Sequence, residues 1–231
     1  VTVPCGQCIG CRLERSRQWA IRCVHEASLH DENCFVTLTY DDRCVPVDGS
    51  LDVAEFQRFM KRLRKKYGAG IRFFHCGEYG EQNLRPHYHA CLFNHDFSDK
   101  VLWSVRDGVK LYVSNELLEL WPYGFSTVGD VTFESAAYVA RYIMKKITGP
   151  GAEEHYGGRK PEYTTMSRRP GIGRGWYEKW ASDVYPGDGV VVRGKKMRPP
   201  KYYDRQFELD NAPEWFYLRA EIGRASCRER V

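Results

Sequence analysis

The sequence predicts an α+β fold with a largely antiparallel sheet, and three observations support this class. The 231 residues are 42% hydrophobic and 28% charged, a composition that allows a buried core and excludes fibrous and disordered chains. Short β-branched and aromatic runs alternate with amphipathic runs of helical period. Their order is β-α-β-β-α-β with one further helix, the split βαβ pattern of ferredoxin-like folds. We expect helices on one face of the sheet and a free face for ligand on the other.

Each element of this pattern has its own sequence signal. Apolar residues at helical spacing predict an amphipathic helix over 12–30, and the β-branched and aromatic run at 34–40 predicts a strand. Asp52 and Glu55 have capping-box spacing and open a helix that stops at Gly68. The same criteria predict strands at 71–79 and 87–93, a short helix at 114–121, a strand at 125–133 and a helix at 134–147.

Composition divides the chain into four segments. The first, 1–30, holds the N-terminal cysteines and helix, and the second, 31–148, holds the predicted sheet and the last helix. The third, 149–220, is rich in glycine, proline and charge, and predicts an irregular basic extension. The last, 221–231, resembles the translation of a sequencing adapter, so we expect the natural protein to depart from this sequence near residue 220.

Charge and cysteine content narrow the environment and the partners. The chain has 35 basic and 30 acidic residues, a net charge of +5, but residues 141–205 hold fifteen basic against seven acidic side chains. That local excess is a candidate surface for a polyanion, although such an excess is more often only a solvated face. No apolar run approaches the ~20 residues needed to cross a bilayer, and no signal-peptide pattern is present, so membrane insertion and secretion are not expected. The nine cysteines are odd in number, which favours reduced thiols or metal ligands over a disulfide framework.

A histidine pair on a predicted strand is a candidate metal site. His87 and His89 flank Tyr88, and the period of two in a strand places both imidazoles on one face. Most His-x-His pairs bind nothing, but here Glu78 ends the preceding strand across the loop and supplies a carboxylate, with Glu81 as the alternative. Two imidazoles and one carboxylate with open positions suit a hydrated divalent ion that polarises a phosphoryl oxygen.

The predicted helix at 134–147 carries a tyrosine pair. At about 100° per residue, one side collects Ala136, Ala140, Ile143 and Ile147, and the opposite side collects Tyr138, Arg141, Tyr142 and Lys145. Core packing is the commoner role of tyrosines at this spacing. Because the helix has a separate apolar stripe, we expect the tyrosines on its polar side, among cations. A phenol beside arginine and lysine can attack a phosphodiester, since cations favour the phenolate and neutralise the phosphate.

Two further groups of residues have a recognisable chemistry. Cys5, Cys8 and Cys11 have the spacing of a zinc knuckle, with Cys23 or Cys34 as a fourth ligand, although reduced cysteines in a turn are an equal alternative. Near the C-terminus, cations interleave with aromatics in a pattern that suits a groove for single-stranded nucleic acid. These residues are Lys195, Lys196, Arg198 and Lys201, with Tyr202 and Tyr203 between or beside them.

Taken together, these strings resemble a known family. RPHYHACLF, the upstream FVTLTY, and YVARY with Lys145 behind it are similar to rolling-circle replication initiators of the HUH endonuclease class. The strings PCGQCIGCR, GIGRGWYEKW and RGKKMRPPKYYDR narrow the resemblance to the initiators of gokushoviruses, a branch of the microviruses with small circular single-stranded DNA genomes. The similarity runs over residues 3–207.

The resemblance implies an HUH endonuclease core at 31–148 that nicks single-stranded DNA with Mg²⁺ or Mn²⁺. His87, His89 and Glu78 would hold the ion at the scissile phosphate. Tyr138 or Tyr142 would attack and form a 5′-phosphotyrosyl intermediate, and the other would later rejoin the strand to release a circle. Implied catalytic and DNA-binding residues further include Lys145, Arg141, at a position where relatives are expected to have lysine, and Lys146. The partners would be the viral origin and the host helicase and polymerase, in the host bacterial cytoplasm.

Three other functions are weighed against this one. A plasmid initiator or transposase of the same class fits the paired tyrosines and the cysteine string less well. A non-catalytic ferredoxin-like protein that binds single strands would use the tyrosines to stack bases and would need no metal. A zinc-dependent hydrolase is the weakest, because attack by water would leave no DNA attached to the protein.

Overall fold

The computed structural model describes residues 4–6, 8–80, 83–147, 149–185, 187 and 189–211, and side chains 142–145 are not among the described atoms. The helices are α1 Ile9–Ala27, α2 Val53–Tyr67, α3 Asn115–Leu120, α4 Phe133–Lys145, α5 Ala152–Tyr156, α6 Arg174–Val184 and α7 Lys201–Asp210. The strands are β1 Asn33–Thr39, β2 Arg72–Tyr79, β3 Pro86–Phe93, β4 Val101–Arg106, β5 Val109–Val113, β6 Ser126–Gly129, β7 Tyr163–Met166, β8 Val190–Val192 and β9 Lys195–Met197. The chain divides into two compact units, Val1–Ile172 and Gly173–Val231.

The first unit contains a seven-stranded sheet in the order β4-β5-β6-β1-β3-β2-β7, and all of its described strand pairs are antiparallel. At its centre lies the four-strand order β6-β1-β3-β2. Helix α2 connects β1 to β2, which lie on either side of β3, and α3 precedes β6 on the path back to β1. These are two interleaved split βαβ units, so the predicted α+β, ferredoxin-like class is confirmed.

One face of this sheet packs against α2 and α3, as predicted. Alternate residues of β1 and β3 are fully buried there, and α2 adds a stripe of apolar side chains at helical spacing. Helix α2 begins at Asp52, whose carboxylate accepts the N–H of Ala54 at 3.0 Å, and ends at Gly68, whose φ of 103° favours glycine. The cluster includes Val36, Leu38, Phe56, Phe59, Met60, Leu63, Tyr88, Ala90, Leu92, Leu117 and Trp121.

The opposite face is not free, and the expectation of an open face is wrong. Helices α1 and α4 pack against each other and against β2 and β3 on this side. The reason is the apolar character of the face itself, where Phe74, Cys76, Cys91 and Phe93 need cover from water. Small residues let the two helices approach closely, and Ser16 Oγ on α1 donates to the carbonyl of Ala137 on α4 at 3.0 Å.

A β-hairpin, β4–β5, is the element that the sequence analysis missed. Its turn is the pair Asp107 and Gly108, with φ of 51° and 77°, and an Asp-Gly pair between two apolar runs is a hairpin signal. The predicted strand at 125–133 is also shorter, because β6 ends at Gly129 and Thr132 caps α4. Ser135 completes that cap by accepting the backbone N–H of Thr132.

The region after residue 148, predicted to be irregular, contains regular elements. In the first unit, α5 follows α4, and β7 pairs with β2 as an edge strand of the sheet. In the second unit, α6 and α7 share an aromatic cluster in which Tyr203 is fully buried against Trp176 and Tyr177. Tyr203 is therefore not available to stack bases. The suspected adapter segment at 221–231 lies outside the described residues, and no described helix is long and apolar enough to cross a membrane.

Candidate functional site

Strand β3 sets the two histidines at one end of the sheet. The register pairs His89 with Thr37 on β1, and pairs His87 with Thr39 on β1 and with Glu78 on β2. Because side chains alternate, the histidines, Glu78 and Thr37 share the face that α1 and α4 cover, while Tyr88 points into the other core. The paired register thus brings the predicted carboxylate to the predicted histidines.

His89 is the most constrained residue of the site. Its Nε2 lies 2.6 Å from Oε1 of Glu78, and its Nδ1 lies 3.0 Å from Oγ1 of Thr37. Phe35 stacks on the ring at a centroid distance of 5.9 Å, and the histidine is only 6% exposed. The hydroxyl of Thr37 orients the imidazole so that Nε2 faces the carboxylate.

Thr37 is a site residue that the sequence analysis did not identify. The signal was present in FVTLTY, because alternation places Thr37 on the opposite face from Val36 and Leu38. Only the pairing of β1 with β3 shows that this face is the one with His89.

Tyr138 joins the same cluster. Its hydroxyl donates to Oε1 of Glu78 at 3.1 Å, and its ring meets His89 edge-on at 5.1 Å. The prediction that Tyr138 lies on the polar side of its helix, away from the apolar stripe, is wrong. Ala136, Val139 and Ala140 are the buried residues of α4, and the inclusion of Val139 rotates the buried side toward Tyr138.

His87 lies beside this cluster and is half-buried. Burial is the main cause that lowers its pKa, and the neighbouring His89 lowers it further against an opposing effect of Glu78. A Cβ on Gly80 would approach Nε2 of His87 to 3.0 Å, so glycine leaves room for the ring at the end of β2. A low pKa keeps the imidazole neutral near pH 7, which is the form that binds metal.

The donor set fits a hydrated divalent cation. Carboxylate oxygen with imidazole nitrogen is suitable for Mg²⁺ or Mn²⁺, and Nε2 of His89 already faces Oε1 of Glu78 across a hydrogen bond that an ion would replace. Within the described residues, the three ligand atoms do not all lie within 4.8 Å of one another, so the His87 ring must turn to join. Glu81, the alternative carboxylate, lies outside the described residues.

The other predicted residues fall into two places. Tyr142 and Lys145 belong to the last turns of α4, but their side chains are outside the described atoms, and Arg141 and Lys146 are exposed at the same end of the helix. The predicted DNA-binding cations of the C-terminal region are exposed residues of the second unit. These are Lys195, Lys196, Arg198 and Lys201.

The N-terminal cysteines form a cluster of their own. The ligand atoms of Cys5, Cys8 and Cys11 lie within 4.8 Å of one another, and in the described part of the chain they are the one such group of three. The suggested fourth ligands, Cys23 and Cys34, are wrong, because both are fully buried in the core. Cys23 also lies twelve residues beyond Cys11 on one helix, about 18 Å away.

Comparison with known proteins assigns the class. Residues 33–147, which run from β1 to the end of α4 and contain the histidine, glutamate and tyrosine cluster, match the family model of the replication-associated protein ORF2. The fold and site therefore fall within the replication-associated class. No solved structure matches the chain significantly.

Whole-chain relatives make the assignment more particular. The chain is 34% identical over 229 residues to replication-associated protein VP4 of Bdellovibrio phage phiMH2K, covering 95% of this chain and 71% of the relative. It is 35% identical over 240 residues to replication-associated protein ORF2 of Spiroplasma virus 4, covering 94% and 71%. A third relative, replication-associated protein ORF4 of Chlamydia phage 1, is 30% identical over 212 residues, covering 87% and 52%. The chain belongs to this family of phage replication-associated proteins.

Proposed function

We propose that this protein nicks and rejoins single-stranded DNA at the origin of a phage genome, with Tyr138 as the first nucleophile. The observation that carries the proposal is the chain of contacts from the hydroxyl of Tyr138 to Glu78, at 3.1 Å, and from Glu78 to His89, at 2.6 Å. A phenol held beside a carboxylate and an imidazole is suited to nucleophilic attack on phosphorus. Membership in a replication-associated family makes the phage origin the expected substrate.

In the proposed reaction, Tyr138 attacks the scissile phosphate and Glu78 accepts its phenolic proton at Oε1. A bond forms between the tyrosine oxygen and phosphorus, the bond from phosphorus to the 3′ oxygen breaks, and that oxygen takes up a proton. A divalent cation held by His87, His89 and Glu78 would polarise the phosphate and neutralise its charge. The products are a 5′-phosphotyrosine and a free 3′-hydroxyl, which a host polymerase can extend.

We assign the return step to Tyr142, one helical turn beyond Tyr138, with Lys145 as a nearby cation. Arg141 and Lys146, exposed at the same end of α4, would contact the phosphates of the bound strand. The exposed cations of the second unit, at 195, 196, 198 and 201, supply further non-specific contacts with DNA.

An exposed aromatic pair suggests where the strand crosses the sheet. Thr39, the register partner of His87, donates its backbone N–H to the carbonyl of Phe125 at 3.0 Å, and alternation places Phe125 on the histidine face. Trp103 on β4 lies 5.6 Å from Phe125, and the two are 62% and 43% exposed. The pair lies two strand spacings from His87, about 10 Å, which is suitable for stacking a base beside the scissile phosphate.

Trp103→Ala is expected to weaken binding of single-stranded DNA by about 1–3 kcal/mol, roughly 5- to 150-fold, because one stacking platform is lost. Fluorescence anisotropy at several salt concentrations measures this loss. The slope of affinity against salt stays unchanged, since no phosphate contact is removed. Trp180→Ala, which removes another exposed tryptophan on α6, is the control and leaves affinity unchanged. Equal losses in both variants would contradict the assignment.

Thr37→Val tests how the ligand His89 is positioned. The change keeps the side-chain shape but removes the hydroxyl at Nδ1, so we expect Mn²⁺ affinity to fall about 10- to 100-fold without loss of the fold. Titration calorimetry with Mn²⁺ measures it. Thr165→Val is a matched control, because Thr165 makes the same contact to Nδ1 of His75, at 2.9 Å, away from the site. An unchanged affinity in Thr37→Val would exclude this positioning role.

The proposed function is tested by incubating the protein with Mn²⁺ and a pool of single-stranded oligonucleotides. The expected result on a denaturing gel is DNA that migrates with the protein, and none in the presence of chelator. Sequencing the trapped strands identifies the origin, and adding an acceptor with a free 3′-hydroxyl releases rejoined DNA. Tight, salt-dependent binding without an adduct, unaffected by chelator, would instead indicate a non-catalytic single-strand binder.

A further inference from the structure

The N-terminal cysteines are arranged as a metal knuckle rather than as three unrelated thiols. Sγ of Cys5 lies 4.0 Å from Sγ of Cys11, and the backbone N–H of Cys8 donates to Sγ of Cys5 at 3.3 Å. Tetrahedral ligands at the zinc–sulfur distance of about 2.3 Å stand just under 4 Å apart, close to this separation. Gly6, at a φ of 74°, makes the turn that folds the first cysteine back over the helix.

Several positive groups converge on these three sulfurs. Cys8 is the N-cap of α1 and Cys11 lies in its first turn, so both are at the positive end of the helix dipole. A Cβ on Gly6 would lie 3.8 Å from the guanidinium of Arg15, which places that cation beside the knuckle. These groups stabilise the negative charge that three thiolates carry around one divalent ion.

The thiols themselves influence one another. The largest single influence on the pKa of Cys11 is the backbone N–H of Gly6, which lowers it, but burial and the thiols of Cys8 and Cys5 raise the pKa overall. Thiols held this close oppose one another's ionisation, and a cation between them removes that penalty.

The position of the cluster gives it a structural consequence. The C-terminal end of α1 lies where β1 begins, because Asn33 donates to the carbonyls of Ala27 and His30. The helix therefore runs back along the sheet, and its side chain Ser16 bonds α4 at Ala137, next to Tyr138. Fixing the first turn of α1 would brace the helix that supports the tyrosine.

We propose that Cys5, Cys8 and Cys11 bind one zinc ion as thiolates and that this ion holds the first turn of α1 in place. The fourth coordination position belongs to a ligand outside this cluster. The site is separate from the histidine site and does not depend on the nicking activity.

The test uses the full chain, purified under reducing conditions. Elemental analysis is expected to find one zinc per chain, and replacement of zinc by Co²⁺ is expected to give the near-ultraviolet charge-transfer band of thiolate ligands. Cys8→Ser abolishes the band and lowers zinc affinity by more than about 10-fold, since even an outer-shell change has that effect. Cys44→Ser, which removes a half-buried thiol outside the cluster, keeps both. The double variant His87→Ala, His89→Ala also keeps the band, which separates the two sites.

A second measurement holds even where a cysteine variant does not fold. In the unaltered protein, zinc protects residues 5, 8 and 11 from alkylation while Cys44 reacts, and chelation removes this protection. Chelation also speeds amide hydrogen exchange in the first turns of α1 and leaves α2 unchanged. The proposal is overturned if the protein contains no stoichiometric zinc, if Cys8→Ser keeps the charge-transfer band, or if Cys5 and Cys11 form a disulfide instead.

Discussion

Tyr138→Phe is expected to abolish the first covalent protein–DNA adduct, with a loss of at least about 10³-fold in its rate of formation, because the attacking oxygen is gone. The phenyl ring keeps its packing against His89 and Phe35, so the fold and the affinity for DNA stay as they are. Single-turnover adduct formation on an origin oligonucleotide gives the rate, and anisotropy gives the affinity.

Two matched variants make this result specific. Tyr142→Phe is expected to retain the first adduct and to lose the later transfer that rejoins the strand, which a pulse of labelled second substrate detects. Tyr112→Phe removes a tyrosine hydroxyl on β5, outside the cluster, and retains both steps. If Tyr138→Phe forms the adduct at the normal rate, Tyr138 is not the first nucleophile.

His89→Ala is expected to lower adduct formation by roughly 10³-fold and to remove high-affinity Mn²⁺ binding. The ion supplies several kcal/mol of charge stabilisation, and each 1.4 kcal/mol corresponds to a factor of ten in rate. The substitution also leaves Glu78 without the imidazole that now faces it at 2.6 Å. Calorimetry with Mn²⁺ and the adduct assay measure the two effects on the same sample.

The controls separate metal binding from stability. His155→Ala removes an exposed histidine on α5 and leaves both measurements unchanged. Tyr138→Phe keeps Mn²⁺ binding while it loses chemistry, so the two variants divide the site into an ion-holding part and a nucleophile. Normal Mn²⁺ affinity in His89→Ala, with the fold intact by circular dichroism, would rule out His89 as a ligand.

Local patterns predicted most of the sheet core. Alternation in β1 and β3 and the capped, amphipathic α2 depend on interactions within a few residues, and they appear where the sequence indicates them. The β4–β5 hairpin was missed although Asp107 and Gly108 mark its turn. Four of its five largest aliphatic side chains, on both strands, are more than half exposed, so no alternation of buried and exposed positions indicates the strands.

Helix α4 shows where local reasoning fails. Its apolar stripe was assigned from residues 136, 140, 143 and 147, which placed Tyr138 on the outer side. The structure buries Val139 instead, because α4 is wedged between α1 and the sheet and presents the side that fits both neighbours. A helix with two partners does not show a single stripe in its sequence.

The sequence by itself determined the α+β class, the order of the split βαβ units, the shared face of His87 and His89, and the close spacing of the three N-terminal cysteines. All of these follow from periods of two or 3.6 residues and from short-range turns. Only the tertiary structure decided that both faces of the sheet are covered, that Thr37 orients His89, and that Tyr138 reaches Glu78. Those contacts join residues 52 and 60 positions apart, and the burial of an apolar sheet face, which no local pattern encodes, brings them together.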